Sequence, residues 1–155
     1  MKAPEKLETE LKSLEKELRI DLPKEIKKAL AMGDLRENAE YHAALERQSY
    51  VKARIGQVRN RLAQISQINM NEIPHDRIGL GSRVEVLDVD EDREVTYEFV
   101  LPEEADPDHG KISLSSPIGR GFSGRREGDE ISIAVPSGKR SYEILSIRTI
   151  HDAEG

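Results

Sequence analysis

The 155-residue chain has no cysteine and no tryptophan, and only two phenylalanines and four tyrosines. Without thiols it can have no disulfide, thiol nucleophile or cysteine-based zinc site. No run approaches the ~18 apolar residues of a membrane span, and residues 1–10 are too polar for a secretory signal. A cytoplasmic protein with no membrane partner is expected. The histidines at 42, 75, 109 and 151 lack the paired spacing of a His metal site. Ser115, Ser116 and Ser123 lack the context of a nucleophile elbow and suit turns and caps.

Charge is what the chain has in excess: 35% of residues are charged, against ~25% in ordinary globular domains. With so few aromatics, this favours long solvated helices over one large core. The net charge of −6 is unevenly spread. Up to Glu72 there are 14 basic against 12 acidic residues, and from Ile73 onward 10 against 18. Between Tyr41 and Asn71 the charges are Arg47, Lys52, Arg54, Arg59 and Arg61, with Glu46 the only acid. A near-unipolar basic helix suits coiled-coil flanks and also a phosphate-bearing neighbour.

Leu7, Leu11, Leu14 and Leu18 step by 4-3-4, and Leu22, Ile26 and Leu30 prolong the stripe, so a first helix is expected. Pro23 should kink it, with Asp21 as a fresh helix start. Gly33 ends it. Tyr41, Ala44, Gln48, Val51, Ile55, Val58, Leu62 and Ile65 then step by 3 and 4, the seam of a coiled coil. Two helices of ~30 residues joined by almost no loop fold back as an antiparallel hairpin roughly 45 Å long, with its tip at 33–37. Pro74, Gly79 and Gly81 mark a linker at 73–81. Beyond it the period becomes two, giving strands at 82–89, 95–101, 111–115, 130–135 and 140–147. Ser116-Pro117 opens a short helix, with Ser as N-cap and Pro in the first turn. The fold class is α+β: a helical hairpin at 1–72 and a small antiparallel sheet body with one short helix at 82–155.

At the tip, Asp34 and Glu37 stand three residues apart. Two such carboxylates suit a hard cation such as Mg²⁺, but they are too few to cage one. They would form half of a site that another molecule completes. The same Asp-x-x-Glu spacing is also a capping box, in which Asp34 accepts the N3 amide and Glu37 reaches back to the N-cap amide.

The string Gly33-Asp34-Leu35-Arg36-Glu37-Asn38-Ala39-Glu40-Tyr41-His42-Ala43-Ala44 closely resembles the hairpin tip of the bacterial Gre transcript cleavage factors. Ser115-Ser116-Pro117-Ile118-Gly119-Arg120-Gly121, followed by Gly128-Asp129, is similar to a segment of that family's body. The likeness covers nearly the whole chain in the family's order: coiled coil, linker, FKBP-like body. It implies a monomeric elongation factor that enters the secondary channel of RNA polymerase and stimulates cleavage of backtracked RNA. By this resemblance Asp34 and Glu37 would help hold the second Mg²⁺, shared with the polymerase, which remains the enzyme. Arg36, Arg47, Lys52 and Arg54 would face the nascent RNA 3′ end. Ser116, Pro117, Ile118 and Arg120 would dock at the channel rim.

Two departures accompany the resemblance. Leu45 stands where the family commonly has Arg, and Gly119 and Gly121 replace better helix formers, so a weaker short helix is expected. The alternatives are a channel-occupying inhibitor of the same fold and, from another class, a peptidyl-prolyl isomerase or chaperone using the body. Against the last, Tyr97, Phe99, Phe122 and Tyr142 are few aromatics for a proline pocket.

Overall fold

The computed structural model describes residues 2–33 and 37–153. The chain divides into two compact units, Met1–Ile68 and Asn69–Gly155. Among the described residues no helix is long and apolar enough to cross a membrane.

The first unit holds α1 (Lys2–Lys16), α2 (Leu22–Leu30) and α3 (Ala39–Ser66). Its core is the expected heptad seam: Leu7 and Leu14 of α1 and Leu22 of α2 are buried with Ala44, Val51, Ile55, Val58 and Ile65 of α3. At 28 residues, α3 is roughly 42 Å long. The stripe ends differently from expectation. Leu30 is 46% exposed and Ala29 takes the inward position, because seven residues after Leu22, not eight, return to the same helix face.

The region around Pro23 also differs from the expected fresh start. Asp21 stays in the right-handed helical conformation and its side chain caps nothing. Between α1 and α2 the chain instead makes a π turn, Glu17–Asp21, closed by the Leu22 N–H donating to the Glu17 carbonyl. A proline inside an α-helix lacks its N–H and clashes with the carbonyl four residues back. Widening the helix by one residue lets the chain pass this point while remaining helical.

The second unit is a five-stranded sheet in the order β3-β2-β1-β5-β4. Its strands are β1 (Arg83–Asp88), β2 (Arg93–Val100), β3 (Lys111–Ser113), β4 (Glu130–Val135) and β5 (Gly138–Arg148). Three of the pairings are antiparallel. The sheet is thus mostly antiparallel, as expected, with one exception: β3 runs parallel to β2 with Phe99 opposite Ile112. The connection turns twice, through 3₁₀ segments Pro102–Glu104 and Pro107–His109, and Gly110 takes a left-handed φ of 76° before β3. That double reversal restores the direction of β2.

Alternate residues of the strands (Val84, Val86, Ile131, Ile133, Tyr142, Ile144) point into the core with Phe99 and Phe122. Ile78, from the stretch expected as a linker, belongs to the same core. Its amide donates to the Arg125 carbonyl at 2.9 Å, and its own carbonyl accepts from Gly124 at 2.8 Å. Phe99 and Phe122 are fully buried, and their rings lie 5.4 Å apart. Tyr142, 3% exposed, sits 5.3 Å from Phe122. Three of the body's four aromatics thus fill the interior instead of walling a proline pocket.

Candidate functional site

The short helix α4 (Pro117–Phe122) is built as its sequence suggests. The Ser116 hydroxyl accepts the Gly119 N–H at 3.1 Å and donates to the Ser113 carbonyl at 2.6 Å. Gly119 permits this helix its close seat. A Cβ there would lie 2.1 Å from the Ser113 carbonyl oxygen, so any side chain would force the helix off β3. Of the four docking candidates, Pro117 and Arg120 are exposed, Ile118 packs against the core, and Ser116 is engaged as the cap.

At the hairpin tip the helix boundary decides the chemistry. Asn38, not Asp34, is the N-cap of α3: its Oδ1 accepts the Tyr41 N–H at 3.0 Å. Its Nδ2 donates to the Ala29 carbonyl at 2.7 Å. One side chain therefore pairs an amide that the start of α3 would leave without an intrahelical acceptor, and it adds a second donor to the Ala29 carbonyl, which already accepts the Met32 N–H at 3.1 Å. The capping-box reading fails on register, because α3 starts four residues later than it requires. Glu37 lies outside the helix and is exposed. Asp34 and Arg36 fall outside the described residues.

Arg47, Lys52 and Arg54 are all on α3, but the structure treats them differently. Arg47 makes two hydrogen bonds with Glu17, at 2.6 and 2.8 Å. Arg54 does the same with Glu10, at 2.6 and 3.0 Å. These guanidinium groups, placed within reach of a carboxylate on the facing segment, hold the Glu10 and Glu17 carboxyls below their ordinary pKa, mainly through the hydrogen bonds. Much of the basic sign of α3 is thereby matched within the hairpin. Lys52 is exposed. Leu45 is half-buried.

Near the tip an open groove of about 460 Å³ is lined by Glu25 and Lys28 of α2 and by Glu40, Ala43, Ala44 and Arg47 of α3. Sequence reasoning missed Asn38, although an Asn directly before the first periodic residues is an N-cap signal. It also missed Tyr50, which is 55% exposed beneath the Arg47 guanidinium, 5.0 Å from ring centroid to Cζ.

Among the described residues no group of three or more His, Asp or Glu side chains is placed to hold a metal ion. Glu37, an exposed carboxylate outside any helix, is a suitable hard donor for Mg²⁺ but supplies only part of its shell. The described residues thus define a protein with a long helical hairpin, an exposed carboxylate, Glu37, near the hairpin's tip, and a separate mixed-sheet body.

Comparison with known proteins identifies the class. A family model described as transcription elongation factor, GreA/GreB, C-terminal matches residues 73–149, and one described as transcription elongation factor, N-terminal matches residues 2–66. Transcription elongation factor GreA of a Nitratiruptor species is 42% identical over 143 residues, covering 92% of this chain and 87% of the relative. That of Clostridium kluyveri is 46% identical over 143 residues, covering 92% and 90%. A solved structure, GreA factor homolog 1 (Gfh1) of Thermus thermophilus, is 28% identical over 94% of each chain with a TM-score of 0.43. The chain belongs to the GreA/GreB family of transcription elongation factors.

Proposed function

We propose that the protein is a transcript cleavage factor for a bacterial RNA polymerase, presenting Asp34 and Glu37 to the polymerase's active site. The observation that carries this reading is the division of labour at the tip. Asn38 is the side chain that caps α3, and Glu37 lies exposed and outside the helix. A carboxylate used as a cap would be a poor metal ligand; one placed beyond the cap is available.

The long hairpin supplies reach into the secondary channel, and the exposed Pro117 and Arg120 of α4 supply a contact for the rim. Asp34 and Glu37 would share the second Mg²⁺ with the polymerase's own ligands. When bound, that ion polarises the phosphodiester and lowers the pKa of the attacking water. The protein's part is to bring two anionic oxygens to a site short of ligands. The catalyst is the polymerase. The division of the chain into hairpin and body serves the same end, with reach in one unit and docking in the other.

The test is addition of the full-length protein to a halted, backtracked elongation complex with 3′-labelled RNA. Release of short labelled 3′ fragments is expected. An RNA left uncut, with nucleotide addition blocked, would replace this reading with that of a channel-occupying inhibitor.

A further inference from the structure

Among the described residues, Tyr50 is the only large apolar side chain of α3 that is exposed, at 55%. The Arg47 guanidinium covers one side of its ring and is itself held in place by the two hydrogen bonds to Glu17. Glu40, Ala43, Arg47, Tyr50 and Arg54 alternate by 3 and 4 along α3, so they form one continuous stripe. The tip-side part of that stripe lines the groove between α2 and α3. Tyr50 lies twelve positions beyond Asn38 in sequence, roughly 18 Å along the helix from the cap.

We propose that Tyr50, backed by Arg47, is a stacking platform for a base of the extruded RNA 3′ segment; this rests on the cleavage-factor reading. Arg47 and Arg54 are matched by Glu17 and Glu10, so each has little net charge to offer a phosphate. What the pairing leaves is a flat, ordered surface of ring and guanidinium, which binds any base through its π face. On α3 itself no acidic residue follows Glu46 as far as Asn71, and the Glu17 and Glu10 carboxylates beside the stripe are matched by Arg47 and Arg54. A single-stranded nucleic acid leaving a site at the tip would run along this stripe.

The experiment uses backtracked complexes whose RNA carries a photoreactive base in the extruded segment, with wild-type protein and the variants Tyr50→Ala, Tyr50→Phe and Tyr50→Trp. The exposure of Tyr50 makes all three compatible with folding, which a thermal melt checks. The expected result is a crosslink to the segment containing Tyr50. Tyr50→Ala should raise the protein concentration needed for half-maximal cleavage roughly tenfold, with the saturated rate unchanged, while the Phe and Trp variants stay near wild type. Wild-type cleavage with a Tyr50→Ala variant indistinguishable from it would overturn the platform alone. So would equal weakening of Tyr50→Ala binding to polymerase without extruded RNA, which would assign Tyr50 to a protein contact. Failure of the wild-type protein to cleave at all would overturn the reading beneath it.

Discussion

The Nδ2 of Asn38 donates to the carbonyl of Ala29 across nine residues of chain, at 2.7 Å, while the Oδ1 of the same amide caps α3. This clamp ties the start of α3 to the end of α2. Asn38→Asp keeps an acceptor for the Tyr41 N–H and loses the donor to Ala29; Asn38→Ala loses both. The Ala variant is expected to lower stability by about 1–2 kcal/mol, the Asp variant by less. Both should reduce cleavage at saturating protein more than they reduce polymerase binding, as read by competition with wild type. Equal loss of both would make Asn38 a folding residue only.

The hairpin's ion pairs give it a defined acid sensitivity. Glu10 and Glu17 titrate below the ordinary carboxylate range because Arg54 and Arg47 donate to them. Their contribution is therefore complete above the unfolded carboxyl pKa of ~4.3. It is lost as pH falls through the lowered folded values. Helical circular dichroism followed against temperature should show the melting point falling from about pH 5 downward. Glu17→Gln should flatten part of that fall. At neutral pH the same variant is expected to cost no more than about 1 kcal/mol, since the pair is solvent-facing.

In the body, Asp88 is a buried charge, its side chain 4% exposed and held by Arg140 at 2.7 Å. Arg140→Ala would remove the charged partner of that carboxylate and leave the Glu91 N–H, at 3.3 Å, as its donor, so denaturant melts should show the variant less stable than wild type. Tyr97 adds an alkaline limit. Burial, and then the neighbouring Tyr142, push its pKa up to about 12. The folded body thus keeps a proton that the unfolded chain releases above ~10, so stability should decline from about pH 10 to about pH 12. Absorbance of tyrosinate against pH, with Tyr97→Phe as reference, would identify the late-ionising group.

Two glycines should respond in opposite directions. Gly56 lies inside α3 with nothing within 4 Å of a Cβ built upon it, so Gly56→Ala should stabilise the protein by about 0.5–1 kcal/mol. Gly119→Ala would set a Cβ 2.1 Å from a backbone oxygen and is expected to cost at least about 1–3 kcal/mol. Denaturant melts of the two variants against wild type measure both signs.

The heptad seam and the strand alternation were legible because they are periodic: Val51, Ile55 and Val58 on α3, or Val84 and Val86 on β1, can only face one way. Features set by tertiary contact were not. Both Asp34 and Asn38 are competent caps by residue type, and the start of α3 at Ala39 selects Asn38. Gly119 reads as a weak helix former until Ser113 is seen beneath it. The parallel pairing of β3 depends on two turns whose net direction no local pattern states. The sequence leaves Arg47 and Arg54 open between coiled-coil flanks and phosphate contacts, because their partners, Glu17 and Glu10, lie 30 and 44 residues away. At the tip, the spacing of Asp34 and Glu37 left a cap and a metal pair both open, and the capping of α3 by Asn38 places Glu37 outside that helix.

The central claim is that the tip carboxylates act as metal ligands and not as helix caps. The most direct measurement is the cleavage rate of a backtracked complex across a Mg²⁺ titration, with wild type, Asp34→Asn and Glu37→Gln. Each variant keeps the size of the side chain and one acceptor oxygen while removing its charge. The account predicts slow cleavage at low Mg²⁺, partly restored as Mg²⁺ rises, with thermal stability and polymerase binding close to wild type. Cleavage by both variants at the wild-type rate throughout the titration would contradict it.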